Sequence, residues 1–206
     1  MKKKILATST GIVGAIIASI IFVEGGYTDD SFDPGGKTKF GITEKVAREY
    51  GYTGSMEDLT KDTATDIYST LYVYQPNFDK FIEINPAIAH KLINSGVNVG
   101  TVRVTYWLQS SLNLYSRAGR DYKKITEDGV LGDDTIRAYK DLERIRGKET
   151  ACSLVLKALD ANQLAHYASL TSLSRYIVGW VDKRIGNIPL SQCSSYTLTL
   201  PTLESK

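Results

Sequence analysis

Residues 1–30 read MKKKILATSTGIVGAIIASIIFVEGGYTDD. No charged side chain occurs from Ile5 to Val23, and these nineteen residues, rising about 1.5 Å each as a helix, span roughly 28 Å, about one hydrocarbon core. Lysines at positions 2–4 precede the segment and acidic residues follow it from Asp29 onward, which predicts a cytoplasmic amino terminus and an exported body. The stretch therefore predicts contact with the inner membrane through residues 5–23.

Small and hydroxylated side chains interrupt this apolar segment, at Thr8, Ser9, Thr10, Gly11, Gly14, Ala15, Ala18 and Ser19. They weaken its insertion free energy for its length, which favours an anchor that can be released. A permanent anchor and a cleaved signal peptide are the alternatives, although the apolar run continues through Val23 without a small-x-small cleavage site. We expect the body at the inner membrane first, and soluble in the periplasm after release.

Composition limits the classes of protein and cofactor. The 206 residues are 42% apolar with a net charge of +2, which predicts a folded core and gives no reason to expect nucleic acid binding. Cys152 and Cys193 can pair in an exported chain or remain two separate thiols. His90 and His166 are the two histidines and show no metal-ligand spacing, so we expect no metal. We also expect no cofactor and a monomer.

Capping residues, glycines and prolines predict a mainly helical chain with one short extended section at 38–42. The predicted helices are 44–50, 60–74, 87–94, 99–112, 133–146 and 149–181. Thr43 and Thr60 act as N-caps, Pro86 occupies a first turn, and Gly96 ends that helix. The Ser-, Thr- and Pro-rich sequence from Gly186 predicts a tail packed along the surface or partly disordered.

Three side chains suited to glycosidic bond cleavage fall within fifteen residues: Glu24, Asp33 and Thr38. Glu24 ends the apolar helix, where desolvation raises a carboxyl pKa and keeps the group protonated as a general acid. Asp33 lies in a polar, glycine-rich turn and should remain ionised, while Thr38 can hold a water. The alternative is that Glu24 ends the membrane segment and the other two satisfy local turns.

The string from Glu24 to Thr43, EGGYTDDSFDPGGKTKFGIT, resembles the opening motif of glycoside hydrolase family 108, the N-acetylmuramidases of phage endolysins and related bacterial proteins. Further matches follow in the expected order, over roughly residues 15 to 185. They are Ile67-Tyr68 with Tyr72, Asn94-Ser95-Gly96, Trp107-Leu108-Gln109, Asp128-Gly129-Val130-x-Gly132, and Gly179-Trp180 with Arg184.

The resemblance implies a mainly α, lysozyme-like two-lobed fold with a small β/turn region near residues 25–43. It implies that Glu24 is the catalytic acid, and the similar spacing in phage-type lysozymes extends catalytic roles to Asp33 and, one residue short of the usual interval, to Thr38. It also implies substrate-binding side chains, at Tyr27, Tyr68, Tyr72 and Asn94. The aromatic that commonly follows the tyrosine matching Tyr72 is replaced by Val73, and Tyr74 can supply its contact.

These features together predict a signal-anchor-release endolysin. It would cleave the β-1,4 bond between N-acetylmuramic acid and N-acetylglucosamine in peptidoglycan glycan strands for host cell lysis, and would be inactive until released. The predicted parts are a release segment (1–23), a catalytic lobe (15–93) and a tail (186–206), and the resemblance implies a helical peptidoglycan-binding part (94–185). A lytic transglycosylase and a non-catalytic, membrane-anchored wall-binding protein are the alternatives.

Aromatic residues in the second half have two interpretations. They could stack on sugar rings, but aromatics at helical spacing more often belong to the core. The residues in question are Tyr106, Trp107, Tyr115, Tyr122 and Tyr139.

Overall fold

The structure is a computed structural model that describes residues 9–24, 26–28 and 36–198. It confirms the mainly α, lysozyme-like fold class. The chain divides into two compact units, residues 1–75 with 198–206, and residues 76–197. The functional boundaries predicted at residues 93 and 185 stay predictions.

The first unit combines short helices with a small hairpin. Its elements are α1 (Ser9–Glu24), β1 (Thr38–Lys39), β2 (Ile42–Thr43), α2 (Glu44–Tyr50), a 3₁₀ turn (Met56–Asp58), α3 (Lys61–Ser69) and a π-helical turn (Thr70–Tyr74). Both predicted caps are confirmed, because Thr43 Oγ1 accepts from Val46 N at 3.3 Å and Thr60 Oγ1 accepts from Thr63 N at 3.1 Å. The single helix predicted over 60–74 is wrong in its last turn, which is π-helical.

Helix α1 buries one face and lies beside α3. Its buried side chains are at most 5% exposed and recur at the i, i+3, i+4, i+7 and i+8 spacing of a helix that faces a core: Val13, Ile16, Ile17, Ile20 and Ile21. Thr10, Gly11 and Gly14 are exposed on the remaining surface. None of the described helices has the length and hydropathy needed to cross a membrane, and positions 5–8 of the predicted anchor lie outside the described residues.

The second unit is a group of packed helices. They are α4 (Asp79–Ile84), α5 (Pro86–Val99), α6 (Thr101–Tyr115), α7 (Asp133–Arg146), α8 (Lys148–Ser169) and α9 (Ser174–Arg184), with 3₁₀ turns at Thr171–Leu173 and Leu190–Cys193. Its core lies where α5, α6 and α8 pack together, and includes Leu92, Leu108 and Leu156, each 0% exposed. The helix predicted at 133–146 is confirmed with the same bounds.

Gly96 does not end a helix. It lies buried inside α5, where an added Cβ would come within 3.2 Å of the Phe78 ring and of Thr101 Cγ2. The glycine therefore permits close packing, and α5 continues to Val99 before Gly100 stops it with φ +91°. The next helix accordingly begins at Thr101 and ends at Tyr115, later than the predicted range of 99–112.

The long helix predicted over 149–181 is also wrong. The chain leaves the helical conformation at Leu170, whose ψ is 61°, and resumes as α9 after a 3₁₀ turn. The break lets Trp180 of α9 pack against Tyr167 of α8, with ring centroids 5.4 Å apart. No glycine or proline marks this break.

Residues 186–197 of the tail belong to the second unit, and residues 199–206 lie outside the described residues. A disulfide joins Cys152 to Cys193 with Cα atoms 5.6 Å apart, so the pairing alternative is correct. Tyr196 Oη lies 3.2 Å from His90 Nδ1. Burial, with a smaller effect of the neighbouring Lys91 charge, lowers the pKa of His90 to about 4.

The aromatic residues of the second unit separate into core and surface groups. Tyr139, Tyr122 and Trp107 are 0%, 7% and 9% exposed, so the core interpretation holds for them. The Tyr115 hydroxyl donates to Leu154 O at 2.9 Å. Tyr106 is 46% exposed and remains available for contact with a ligand.

Candidate active site

A backbone pair brings the end of α1 to the hairpin. Thr28 and Thr38 exchange two hydrogen bonds, with N···O distances of 2.8 and 2.9 Å. Glu24, the last residue of α1, is four residues before Thr28, so its Cα lies within about 14 Å of the Thr28 Cα. Connectivity therefore keeps the backbone of Glu24 near Thr28, which pairs with Thr38.

The carboxyl groups of Glu24 and Asp33 lie outside the described residues. The backbone of Glu24 closes α1, but its side chain and the whole of Asp33 lie outside the described residues. The roles predicted for both residues stay predictions.

Thr38 is held through its backbone and its side chain. It pairs with Thr28 on one side and with Thr43 of β2 on the other, and its hydroxyl donates to Gly36 O at 3.1 Å. The side chain is half-buried. A hydroxyl that donates one hydrogen bond can still accept another, so the geometry is compatible with the predicted contact to a water.

The hairpin turn carries a residue in a strained conformation. Phe40 and Gly41 have φ of +54° and +76°, the signs required at both central positions of a type I′ turn. A left-handed conformation at a side chain other than glycine costs roughly 1–2 kcal/mol. Tyr68 offsets this cost by donating its hydroxyl to Phe40 O at 2.9 Å from 28 residues away. Strain of this kind often accompanies a functional site.

Tyr68 is therefore a residue that supports the hairpin. Its side chain is 1% exposed, which leaves almost no ring surface for a ligand. The sequence identified the residue through the Ile67-Tyr68 match but gave no indication that its hydroxyl reaches the turn. Its predicted contact with substrate stays a prediction that the burial does not favour.

The π-helical turn carries two tyrosines, Tyr72 and Tyr74, that differ in exposure. Tyr72 is half-buried with its ring centroid 5.7 Å from that of Tyr68, and burial, aided by the charge of Glu49, raises the pKa of its phenol. Val73 is 0% exposed and belongs to the core, whereas Tyr74 is 51% exposed. Tyr74 can thus offer the aromatic surface that Val73 lacks. Single π-helical turns are frequent at functional sites.

The remaining predicted contacts lie in different units. Tyr27 is half-buried in the first unit, next to Thr28. Asn94 belongs to α5 in the second unit, where its Oδ1 accepts from Asn187 Nδ2 at 2.9 Å. Binding of substrate by either residue stays a prediction. Within residues 9–24, 26–28 and 36–198, no cluster of three His, Cys, Asp or Glu side chains could hold a metal ion.

Residues 17–100 match the model of the family described as Glycosyl hydrolase 108. This span begins inside α1 and includes every residue predicted to act in catalysis or to bind substrate. This part of the chain is therefore similar to the glycosyl hydrolases of that family.

Solved structures agree with the fold. The structure of SagA from Brucella abortus is similar with a TM-score of 0.68 and 25% sequence identity, over 91% of this chain and 96% of that one. No curated protein matches the sequence.

Proposed function

We propose that this protein is a peptidoglycan hydrolase that cleaves the β-1,4 bond between N-acetylmuramic acid and N-acetylglucosamine. The observation that carries the proposal is the family match over residues 17–100. The position of Glu24 supports it, since α1 ends there and the chain enters the Thr28–Thr38 pair four residues later.

The proposed mechanism uses Glu24, Asp33 and Thr38. Glu24, protonated, transfers its proton to the glycosidic oxygen as the bond to the anomeric carbon breaks. Asp33, ionised, stabilises the positive charge on the sugar or activates the attacking water, and Thr38 accepts a hydrogen bond from that water. Whether configuration is inverted or retained depends on the separation of the two carboxyl groups.

In this proposal aromatic and amide side chains contact the substrate. Tyr27, Tyr72 and the exposed Tyr74 supply aromatic surface for sugar rings. Asn94 uses Oδ1 to accept from Asn187, and in the described part of the chain its Nδ2 has no hydrogen-bond partner. The amide can therefore donate to a sugar hydroxyl or an N-acetyl carbonyl.

We further propose that the chain is a phage endolysin tethered through residues 5–23 until it is released. While that segment is in lipid, its isoleucines cannot pack in the first unit, and Glu24 is pinned at the membrane surface. Packing α1 buries five Ile and Val side chains at about 1.5–3 kcal/mol each, which helps offset the cost of leaving lipid. Depolarisation assists because the positive amino terminus must move outward, at about 2.3 kcal/mol per charge per 100 mV.

The reaction is tested by the products of a peptidoglycan digest. Wild-type protein should release fragments with reducing N-acetylmuramic acid ends, detected by mass spectrometry after borohydride reduction. Anhydro-muramic products would instead identify a lytic transglycosylase. Wall binding without soluble fragments would identify a non-catalytic binding protein.

The tether is tested by fractionation after expression in a Gram-negative host. The full-length chain should appear in the membrane fraction and move, uncleaved, to the periplasm when a protonophore collapses the potential. Gly14→Leu tests the strength of the anchor. Position 14 is exposed and a Cβ there meets nothing within 4 Å, so the folded protein should accept the change, while the larger apolar side chain strengthens insertion in the membrane. This variant should leave the membrane more slowly. Permanent retention of the wild type, or a shortened amino terminus, would reject the tether.

A further inference from the structure

A groove of about 700 Å³ runs along the second unit between the first turns of α6 and residues 127–129. Its apolar lining includes two exposed side chains, Val102 at 67% and Tyr106 at 46%, together with Trp107. Binding sites for small ligands are typically about 300–1,000 Å³ and combine apolar walls with a few polar groups. The groove has the size and lining of such a site.

Arg103 provides the positive charge of the groove. Its Nη1 donates to Val99 O at 3.0 Å and lies 3.2 Å from His166 Nε2. Burial and then the charge of Arg103 lower the pKa of His166, so the ring is neutral near pH 7 and can accept this hydrogen bond. No ion pair in the described part of the chain includes Arg103.

Glu127 and Asp128 provide the negative charge. Asn113 Nδ2 donates to Glu127 Oε1 at 2.8 Å, while Gln109 Nε2 and Val130 N donate to Asp128 Oδ1 at 2.8 and 2.9 Å. The Gln109 and Val130 hydrogen bonds hold the pKa of Asp128 below its usual value. Among the described residues neither carboxylate has a cationic partner, so the groove carries fixed opposite charges that do not neutralise each other.

The Asp128–Gly129 segment is fixed against α6 before any ligand arrives. Gly129 has φ +74°, and a Cβ there would lie 2.7 Å from Val102 Cγ1 and 3.0 Å from Val102 O. Gln109 also accepts from Gly129 N at 2.8 Å, so one amide side chain binds two consecutive residues of the segment. The Trp107-Leu108-Gln109 and Asp128-Gly129 matches therefore form one rigid structure. Such preorganisation lowers the entropic cost of binding.

We propose that this groove binds the stem peptide of peptidoglycan. The ammonium group of a diamino acid would face Glu127 and Asp128, a peptide carboxylate would face Arg103, and alanine methyl groups would pack on Val102 and Tyr106. Opposite charges that are fixed but unpaired complement a zwitterionic ligand. The inference rests on the proposed function for the identity of the polymer and extends it, because N-acetylated glycan carries no ammonium group.

Titration calorimetry of the full-length protein with the synthetic tetrapeptide L-Ala-γ-D-Glu-meso-diaminopimelate-D-Ala tests the groove. Asp128→Asn removes the charge while its Oδ1 can keep both hydrogen bonds, so it should weaken binding by about three- to tenfold without loss of folding. Arg103→Gln should weaken binding to a similar extent. The control Arg144→Gln, on the exposed face of α7, should bind like the wild type.

Three outcomes would overturn the inference: no heat of binding at millimolar peptide, equal affinity in the wild type and both groove variants, or displacement of the peptide by a peptide-free glycan. Neutralising the peptide by acetylation and amidation should remove the difference between wild type and Asp128→Asn. The tetrapeptide contains no glycosidic bond, so its binding is independent of hydrolysis. Peptide binding by a chain that releases no glycan fragments would contradict the proposed function alone.

Discussion

Replacing Ile16 by alanine tests whether α1 is part of the folded enzyme. Ile16 is 0% exposed on the face of α1 that packs in the first unit. The substitution deletes three carbon atoms, each contributing about 0.8 kcal/mol of transfer free energy, which gives about 2.4 kcal/mol. The unfilled cavity adds to this, so we expect a loss of about 2–4 kcal/mol in the free energy of unfolding.

Ile12→Ala is the matched control for this substitution. It deletes the same atoms from the same helix, but Ile12 is only half-buried, so we expect a loss of about 1 kcal/mol or less. Both variants lower the hydrophobicity of the anchor equally, so an effect on membrane insertion would be common to the two. Urea unfolding of the released protein, followed by circular dichroism, gives both values. Equal losses, or a loss below about 1 kcal/mol for Ile16→Ala, would refute the packing of α1 in the core.

Three further predictions concern the hairpin, the disulfide and His90. Tyr68→Phe leaves Phe40 O without its hydroxyl donor, so we expect a loss of about 1–2 kcal/mol in unfolding free energy and a lower rate of hydrolysis. Reduction of Cys152–Cys193, separated by 41 positions, should cost about 4 kcal/mol by the chain-entropy model, measured as unfolding with and without a reductant. His90 has a folded pKa of about 4 against about 6.5 when unfolded, so the unfolded chain binds the proton first and stability should fall by about 2 kcal/mol from pH 7 to pH 5.

Each of these predictions has a control. Tyr52→Phe also removes a tyrosine hydroxyl that donates to a backbone carbonyl, but this hydrogen bond is exposed, so its loss should cost less than Tyr68→Phe. Cys152→Ser with Cys193→Ser should unfold at the same urea concentration with or without a reductant; a reductant effect in this variant would exclude the disulfide as the cause. His90→Asn should reduce the loss between pH 7 and pH 5, and an unchanged loss would assign it to other groups.

Local sequence signals predicted the parts of the fold that depend on local interactions. Thr43 and Thr60 act as N-caps because their hydroxyls bond amides three residues ahead, which sequence spacing alone specifies. Gly96 gave the wrong prediction because the same residue type serves to end a helix or to allow close packing. The approach of Phe78 and Thr101 selects the second use, and neither neighbour is evident from a local pattern.

Features that depend on distant contacts could not be predicted. The strained turn at Phe40 requires the Tyr68 hydroxyl, and the helix break at Leu170 accompanies packing between Tyr167 and Trp180. The pattern of α1 was visible only in part. Its small residues indicated a weak anchor. Because apolar residues occur all around the helix, the sequence alone does not distinguish the face that is buried from the exposed one; the position of α3 beside it decides this.

The rate of peptidoglycan hydrolysis by Glu24→Gln tests the central claim most directly. If Glu24 is the catalytic acid, the rate of release of reducing ends should fall by about 10²–10⁴-fold, because glutamine cannot donate the proton. The control Glu83→Gln, at an exposed position of α4, should retain the wild-type rate, and both variants should unfold at the wild-type urea concentration. A Glu24→Gln protein that hydrolyses peptidoglycan at the wild-type rate would contradict the account.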